Sequence, residues 1–161
     1  MALRIGQPTS KNTSMAKDLS AADRVFLDAA YAIALSCPGD QFHAAAISLA
    51  EDLEASAARL VTTSAVLLEI GNALAKLQHR RAAAQLLAAL RADPTVEIVA
   101  LSDQPFDLAM KLFSARHDKE WGLTDCLSFV VMSERGITQA LTTDEHFQQA
   151  GFKVLLRNPT P

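Results

Sequence analysis

Thiols are scarce in this chain. Cys37 and Cys126 are the only two, and their separation matches no zinc or redox spacing, which excludes a disulfide-built secreted module and a cysteine metal site. Two lone thiols in a well-cored domain fit a reducing compartment, so the cytoplasm is the expected location. Long hydrophobic runs are missing as well. Half of the residues are apolar, but they come in short segments, none approaching the roughly 18 to 20 that cross a bilayer, and a soluble protein is expected. No glycine-rich phosphate loop occurs. No serine or cysteine stands in a recognisable arrangement with a histidine and an orienting acid, so acyl transfer by an activated nucleophile is disfavoured. A large excess of one charge is also absent: 15 Lys and Arg against 18 Asp and Glu leave a net charge of −3. That argues against a protein that coats nucleic acid, and it leaves room for an acidic centre with a locally basic rim.

With 161 residues the chain is one ordinary domain, long enough to bury about two-thirds of the surface its unfolded form exposes. Residues 1–23 are polar and turn-rich, without an apolar targeting segment, and read as a flexible tail in which Met15 is a second possible start. The domain is expected over 24–157, with 158–161 as a short C-terminal tail. Val25-Phe26-Leu27, closed by Asp28, is the kind of run that forms a fully buried parallel strand. A helix from Ala29 follows, broken at Cys37-Pro38-Gly39, and Asp40 is placed to cap an alanine-rich helix reaching Ala58. Arg59 to Thr63 is a second strand, with Ser64 as the expected cap of a helix whose buried stripe is Leu67, Ile70, Leu74 and Leu77. Glu69 falls off that stripe beside Asn72 and Lys76. His79-Arg80-Arg81 reads as a basic elbow before a separate helix from Ala82 to Ala92. A third strand is expected over Val96–Leu101, then a helix capped by Asp103.

The stretch Trp121-Gly122-Leu123-Thr124-Asp125-Cys126-Leu127-Ser128-Phe129 places an acid at the opening of a helix too apolar to be surface, and Gly136 is suited to stop it. Ile137 to Asp144 reads as a strand ending in another acid, Glu145 to Ala150 as a short helix stopped at Gly151, and Lys153 to Arg157 as a last strand. Five short strands alternating with helices predict a three-layer α/β/α sandwich around a five-stranded, mostly parallel sheet, because parallel neighbours need crossovers and these cover both faces. Ligands of such sheets collect beyond the carboxyl ends of the strands. Asp28 and Asp144 stand at that end of two strands, and Asp125 opens the helix feeding the second of them. Glu69 joins them if its helix lies along the same cleft.

Two carboxylates about 4 Å apart repel by roughly 4 kcal/mol at an effective dielectric near 20, so such a cluster calls for cations. Magnesium takes hard oxygen ligands, and paired ions about 3.5 to 4 Å apart suit hydrolysis of a phosphodiester. The order Val25-Phe26-Leu27-Asp28, Glu69 with Asn72, Trp121 to Ser128 around Asp125, and Leu141-Thr142-Thr143-Asp144-Glu145-His146-Phe147 resembles the PIN-domain nucleases of the VapC toxin type, from Val25 to about Leu156. The resemblance implies a sandwich of helices around a parallel sheet, endonucleolytic cutting of RNA by two-metal hydrolysis with Mg²⁺ or Mn²⁺, and Asp28, Glu69, Asp125 and Asp144 as the metal ligands. It also implies the toxin half of a toxin–antitoxin pair, with a small antitoxin covering the acidic cleft and homodimer formation; Thr142 and Ser128 would be nearby polar support. One departure is Ala30, where the family often has Ser, Thr or Asn.

Each acid alone has an ordinary alternative. Asp28 and Asp144 suit helix caps, Asp125 suits the helix dipole, and Glu69 with Asn72 and Lys76 resembles a solvated face. His43 and His146 are read as packed or solvated, Trp121 as a core or interface anchor, and Cys126 as small filler. Lys76, Arg80, Arg81, Lys111, Arg116 and Lys119 are candidate phosphate contacts, and Leu35, Phe42, Leu49 and Leu53 serve either the core or a partner. Two rivals stay open: a PIN nuclease for RNA maturation or structured DNA, and a nonenzymatic RNA- or protein-binding module of the same fold. A haloacid-dehalogenase-type phosphatase wants a second acid where Ala30 stands, and a phosphorelay receiver wants paired acids near the first strand; neither pattern occurs.

Overall fold

The structure is a computed structural model that describes residues 19–157. Most of the expected N-terminal tail (1–18), Met15 included, and the C-terminal residues 158–161 lie outside the described residues. Twelve elements run in the order β1 (Arg24–Leu27), α1 (Ala29–Ser36), α2 (His43–Ser56), β2 (Arg59–Thr63), α3 (Ser64–Ala73), α4 (Leu77–Ala92), β3 (Val96–Val99), α5 (Asp103–Ala115), α6 (Leu123–Glu134), β4 (Gln139–Leu141), α7 (Glu145–Gln149) and β5 (Lys153–Val154).

All four strand pairings are parallel, in the order β3-β2-β1-β4-β5. Val25, Phe26 and Leu27 are 0–2 % exposed; a strand covered on both faces has no use for polar alternation. The chain builds outward from β1 to β3 and then returns to place β4 on the other side of β1, with Phe26 opposite Ala140 and Leu27 opposite Leu141. The switch point of the sheet therefore lies between β1 and β4, where a crevice opens beyond the carboxyl ends of the strands. Helices α1 to α4 pack on one another as one group, and α5 to α7 as another.

Phe129 fixes the second group. Its ring lies 5.0 Å from those of Trp121 and Phe147, edge-on to both, and 5.6 Å from that of Phe152. The opening of α6 and the whole of α7 are thus locked to one aromatic cluster. Gly136 takes φ +65° and Gly151 φ +95°. At each, the residue beyond donates back into the helix, Ile137 N to Met132 O at 2.8 Å and Phe152 N to Phe147 O at 2.9 Å, the Schellman arrangement that satisfies otherwise orphaned carbonyls.

Several local expectations are corrected. Asp40 does not cap α2; it makes the turn before it, its carboxylate accepting from Phe42 N at 2.7 Å, and the N-cap Phe42 gives no side-chain bond. Helix α2 stops at Ser56, because Ala57 turns left-handed at φ 55°. Thr63, not Ser64, caps α3, its hydroxyl accepting from Val66 N at 3.1 Å. The break between α3 and α4 comes at Leu74 to Lys76, so His79, Arg80 and Arg81 lie within α4. Leu77 leaves the buried stripe, 89 % exposed, and the buried line is Val66, Ile70 and Leu74. Strand β3 ends at Val99, and β4 and β5 are shorter than their apolar runs; β5 pairs only with Gln139 and Ala140.

Candidate functional site

Asp28 is the N-cap of α1 and is 7 % exposed. Its Oδ2 accepts from Ala30 N at 3.4 Å and from the Thr142 hydroxyl at 2.7 Å. The same hydroxyl oxygen accepts from Asp144 N at 3.0 Å, so one buried side chain ties the end of β1 to the end of β4. Asp144 caps α7 through His146 N, 2.8 Å from its Oδ1. Asp125, in the first turn of α6, accepts from Gly122 N at 2.9 Å; glycine offers no oxygen in return, so only the acid's half of a capping box is present.

His146 completes the group. Its Nδ1 lies 3.1 Å from Asp125 Oδ2 and 3.4 Å from Asp144 Oδ1. A ligand atom from each of Asp125, Asp144 and His146 lies within 4.8 Å of the others. Glu69, exposed on α3, lies within reach of their charge. Its carboxyl is pushed above the ordinary range first by loss of hydration and then by the charges of Asp28, Asp125 and Asp144. Burial likewise raises Asp28; the bonds from Thr142, Ala29 and Ala30 oppose that shift, and Asp125 adds to it.

The structure gathers Asp125 and Asp144 with His146, ties Asp28 to Asp144 through Thr142, and leaves Glu69 exposed on α3 within reach of their charge. The capping roles of Asp28, Asp125 and Asp144 are also real, and they aim each carboxylate rather than replace another use. Among the described residues no lysine or arginine forms an ion pair with any of the four, and His146 is the one cation-capable partner at the cluster. Oxygen donors converging without a basic counter-charge fit a hard divalent cation such as Mg²⁺ or Mn²⁺.

Sequence reasoning set His146 aside. The signal was its position two residues after Asp144: once that carboxylate captures the backbone N–H of residue 146, the imidazole is held beside it. Thr142 was read only as nearby support, and it proves to be the link between two of the acids. Trp121 is a core anchor, its Nε1 donating to Gln149 at 3.2 Å, and Cys126 is fully buried. His43 is tied to Ala34 O by Nδ1 at 2.7 Å.

A family model described as PIN domain matches residues 25–153. Among solved structures, the crystal structure of Mycobacterium tuberculosis VapC20, named as a sarcin-ricin loop cleaving toxin, is 29 % identical, with a TM-score of 0.70 over 80 % of this chain and 95 % of that one. The crystal structure of FitAcB from Neisseria gonorrhoeae shares the fold at 16 % identity, with a TM-score of 0.59 over 81 % of this chain and 96 % of that one. No curated protein matches the chain.

Proposed function

The chain belongs to the PIN-domain family, and from that membership we propose that it is a metal-dependent endoribonuclease, the toxin half of a toxin–antitoxin pair. The observation that carries this reading is the convergence of Asp28, Glu69, Asp125 and Asp144, supplied by four separate stretches of chain, with no lysine or arginine paired to them among the described residues. The likeness to a structure named as a sarcin-ricin loop cleaving toxin supports RNA as the substrate.

Asp28, Glu69, Asp125 and Asp144 would hold Mg²⁺ or Mn²⁺, most simply as a pair. Bound there, such ions supply neutralisation of the cluster, a nucleophile at neutral pH and stabilisation of the leaving oxygen. The chain's own contribution is preorganisation. Thr142 fixes the Asp28 carboxylate while holding the backbone of Asp144, and Gly122 N orients Asp125. His146, donating from Nδ1 to Asp125, sets the lateral position of that carboxylate and places a polar ring at the mouth of the site. The openings of α1 and α6 add partial positive charge where the acids stand.

The same reading includes a small antitoxin whose segment covers the acidic cleft, a homodimeric toxin, a cytoplasmic location, and a nuclease domain over 24–157 flanked by tails at 1–23 and 158–161. The described residues contain no helix long and apolar enough to cross a membrane. The direct test incubates the purified protein with defined single-stranded RNAs, with and without Mg²⁺, beside Asp125→Asn. Cutting by the native chain alone, and only with metal, is expected. Equal cutting by both proteins would assign the activity elsewhere, and no cutting together with unaltered biological effect of the variant would point to a nonenzymatic module.

A further inference from the structure

Next to the acid cluster, at the turn from α5 into α6, lies a second cleft of about 290 Å³ lined by Phe113, Arg116, His117, Lys119, Trp121 and Cys126. Its position is fixed by chain neighbours. Trp121 and Cys126 bracket Gly122 and Asp125, whose hydrogen bond opens α6, so the cleft adjoins the first turn of the helix that carries Asp125, although none of the four acids lines it. Residues 116 to 120 mix basic and acidic side chains, and the fold sorts them: Arg116, His117 and Lys119 line the cleft, while Asp118 and Glu120 do not.

The cations there have different duties. Arg116 donates to both oxygens of Asp118 at 2.8 and 2.9 Å and lies 4.6 Å above the Trp121 ring, which makes it a fixed flat wall. Lys119 forms no ion pair among the described residues, although its charge reaches Asp118 and helps hold that carboxyl down. Phe113 is 47 % exposed, although the core has no shortage of aromatic partners. A half-exposed ring beside a cation without an ion pair is a combination by which single-stranded nucleic acid is held, with a base on the ring and a phosphate on the charge. The volume falls just below the roughly 300–1,000 Å³ of small-molecule sites, room for one nucleotide at most and too little for a duplex.

We propose that this cleft seats one unpaired nucleotide of the RNA beside the bond that is cut, its base against Phe113 and its phosphate on Lys119 and His117. The proposal rests on the ribonuclease reading above. It explains how a phosphodiester chain is drawn to an acidic centre on a chain of net charge −3: the attraction comes from a local contact and not from the global field.

The test measures anisotropy of a fluorescein-labelled, randomised single-stranded RNA pool on the native chain in EDTA across a salt series, together with KM for cleavage in Mg²⁺. Phe113→Ala is expected to weaken binding and raise KM by roughly five- to a hundredfold, the range set by stacking of one base, with the salt slope unchanged. Lys119→Ala is expected to lower the slope of log affinity against log salt by about 0.7, one single-strand phosphate contact. Arg91→Ala, an exposed cation at the far end of α4, controls for bulk charge. Native affinity and KM in both cleft variants, with the native chain still cutting RNA, would overturn this proposal alone. So would a Phe113→Ala change confined to self-association, since Phe106 and Met110 are exposed on the same helix and would then mark a protein interface. Failure of the native chain to bind or cut any RNA would remove the nuclease reading and this one together.

Discussion

The hydroxyl of Thr142 donates to one acid of the cluster and accepts from the backbone of another, so its removal acts on both. Thr142→Val keeps the volume and deletes the hydroxyl, leaving a buried carboxylate oxygen and an N–H without their partner. A loss of about 1.5–3 kcal/mol in chemical denaturation is expected for a hydrogen bond to a charged group, with a roughly 10- to 100-fold loss in divalent-metal affinity by titration calorimetry. Unchanged metal affinity would show that the hydroxyl does not orient the site. Asp28 is the opposite case. Burial raises its pKa, so the folded state holds the proton more tightly than the unfolded chain, and the ionised form costs stability above the folded pKa. That cost shrinks as pH falls below the folded value and is gone below the unfolded one. Asp28→Asn, which still suits an N-cap, is therefore expected to make the metal-free protein more stable than the native chain at neutral pH. The advantage should vanish on acidification, and the variant's thermal midpoint should no longer respond to Mg²⁺. A variant less stable than the native chain in EDTA at neutral pH contradicts the sign of this account.

Among the elements, α6 does most to set the site. Its first turn carries Asp125, its middle carries Phe129 at the centre of the aromatic cluster, and its end is closed by Gly136. Nothing lies within 4 Å of a Cβ added at Gly136, so the demand for glycine there is purely conformational, at φ +65°. Gly136→Ala is expected to cost about 1–2 kcal/mol, the price of a left-handed L-residue, with little change in metal affinity, because the strain sits at the far end of the helix. Urea denaturation checks the first part and calorimetry the second. The elements also show what periodicity reads well. The buried β1 run and the apolar α6 were legible because a segment covered on all sides has nearly one composition. The breaks at Leu74 to Lys76 and at Ala57 were not, because alanine, leucine and lysine are all good helix formers, and only packing decided where those helices end.

On the scale of the whole molecule, the sheet order β3-β2-β1-β4-β5 makes neighbours of two strands more than a hundred residues apart in the chain, and the site is the crevice that this return creates. A metal that binds only the folded state stabilises it by about 2.7 kcal/mol at a hundredfold excess over Kd, an upward shift of about 5–11 °C in the midpoint for a chain of this length. Since Asp28 and Glu69 both have raised pKa values, metal must displace protons that these groups hold more tightly than free carboxyls do. The Mg²⁺-induced shift is therefore expected to shrink as pH is lowered from neutral toward their folded pKa values, as differential scanning fluorimetry over a pH series would show. A shift independent of pH over that range would place the bound ion away from these carboxylates.

By itself the sequence determined the alternation of buried strands and helices, and with it a parallel sheet and the placing of Asp28, Asp125 and Asp144 at strand ends and helix openings, because burial and capping are demands met within a few neighbouring residues. The role of His146, the double duty of Thr142, the capping of α3 by Thr63 and the exposure of Leu77 were decided only by the tertiary structure. Apart from the Thr63 cap, a bond made within three residues, each depends on which distant side chain arrives across the crevice or over the helix, and local pattern holds no record of that distance.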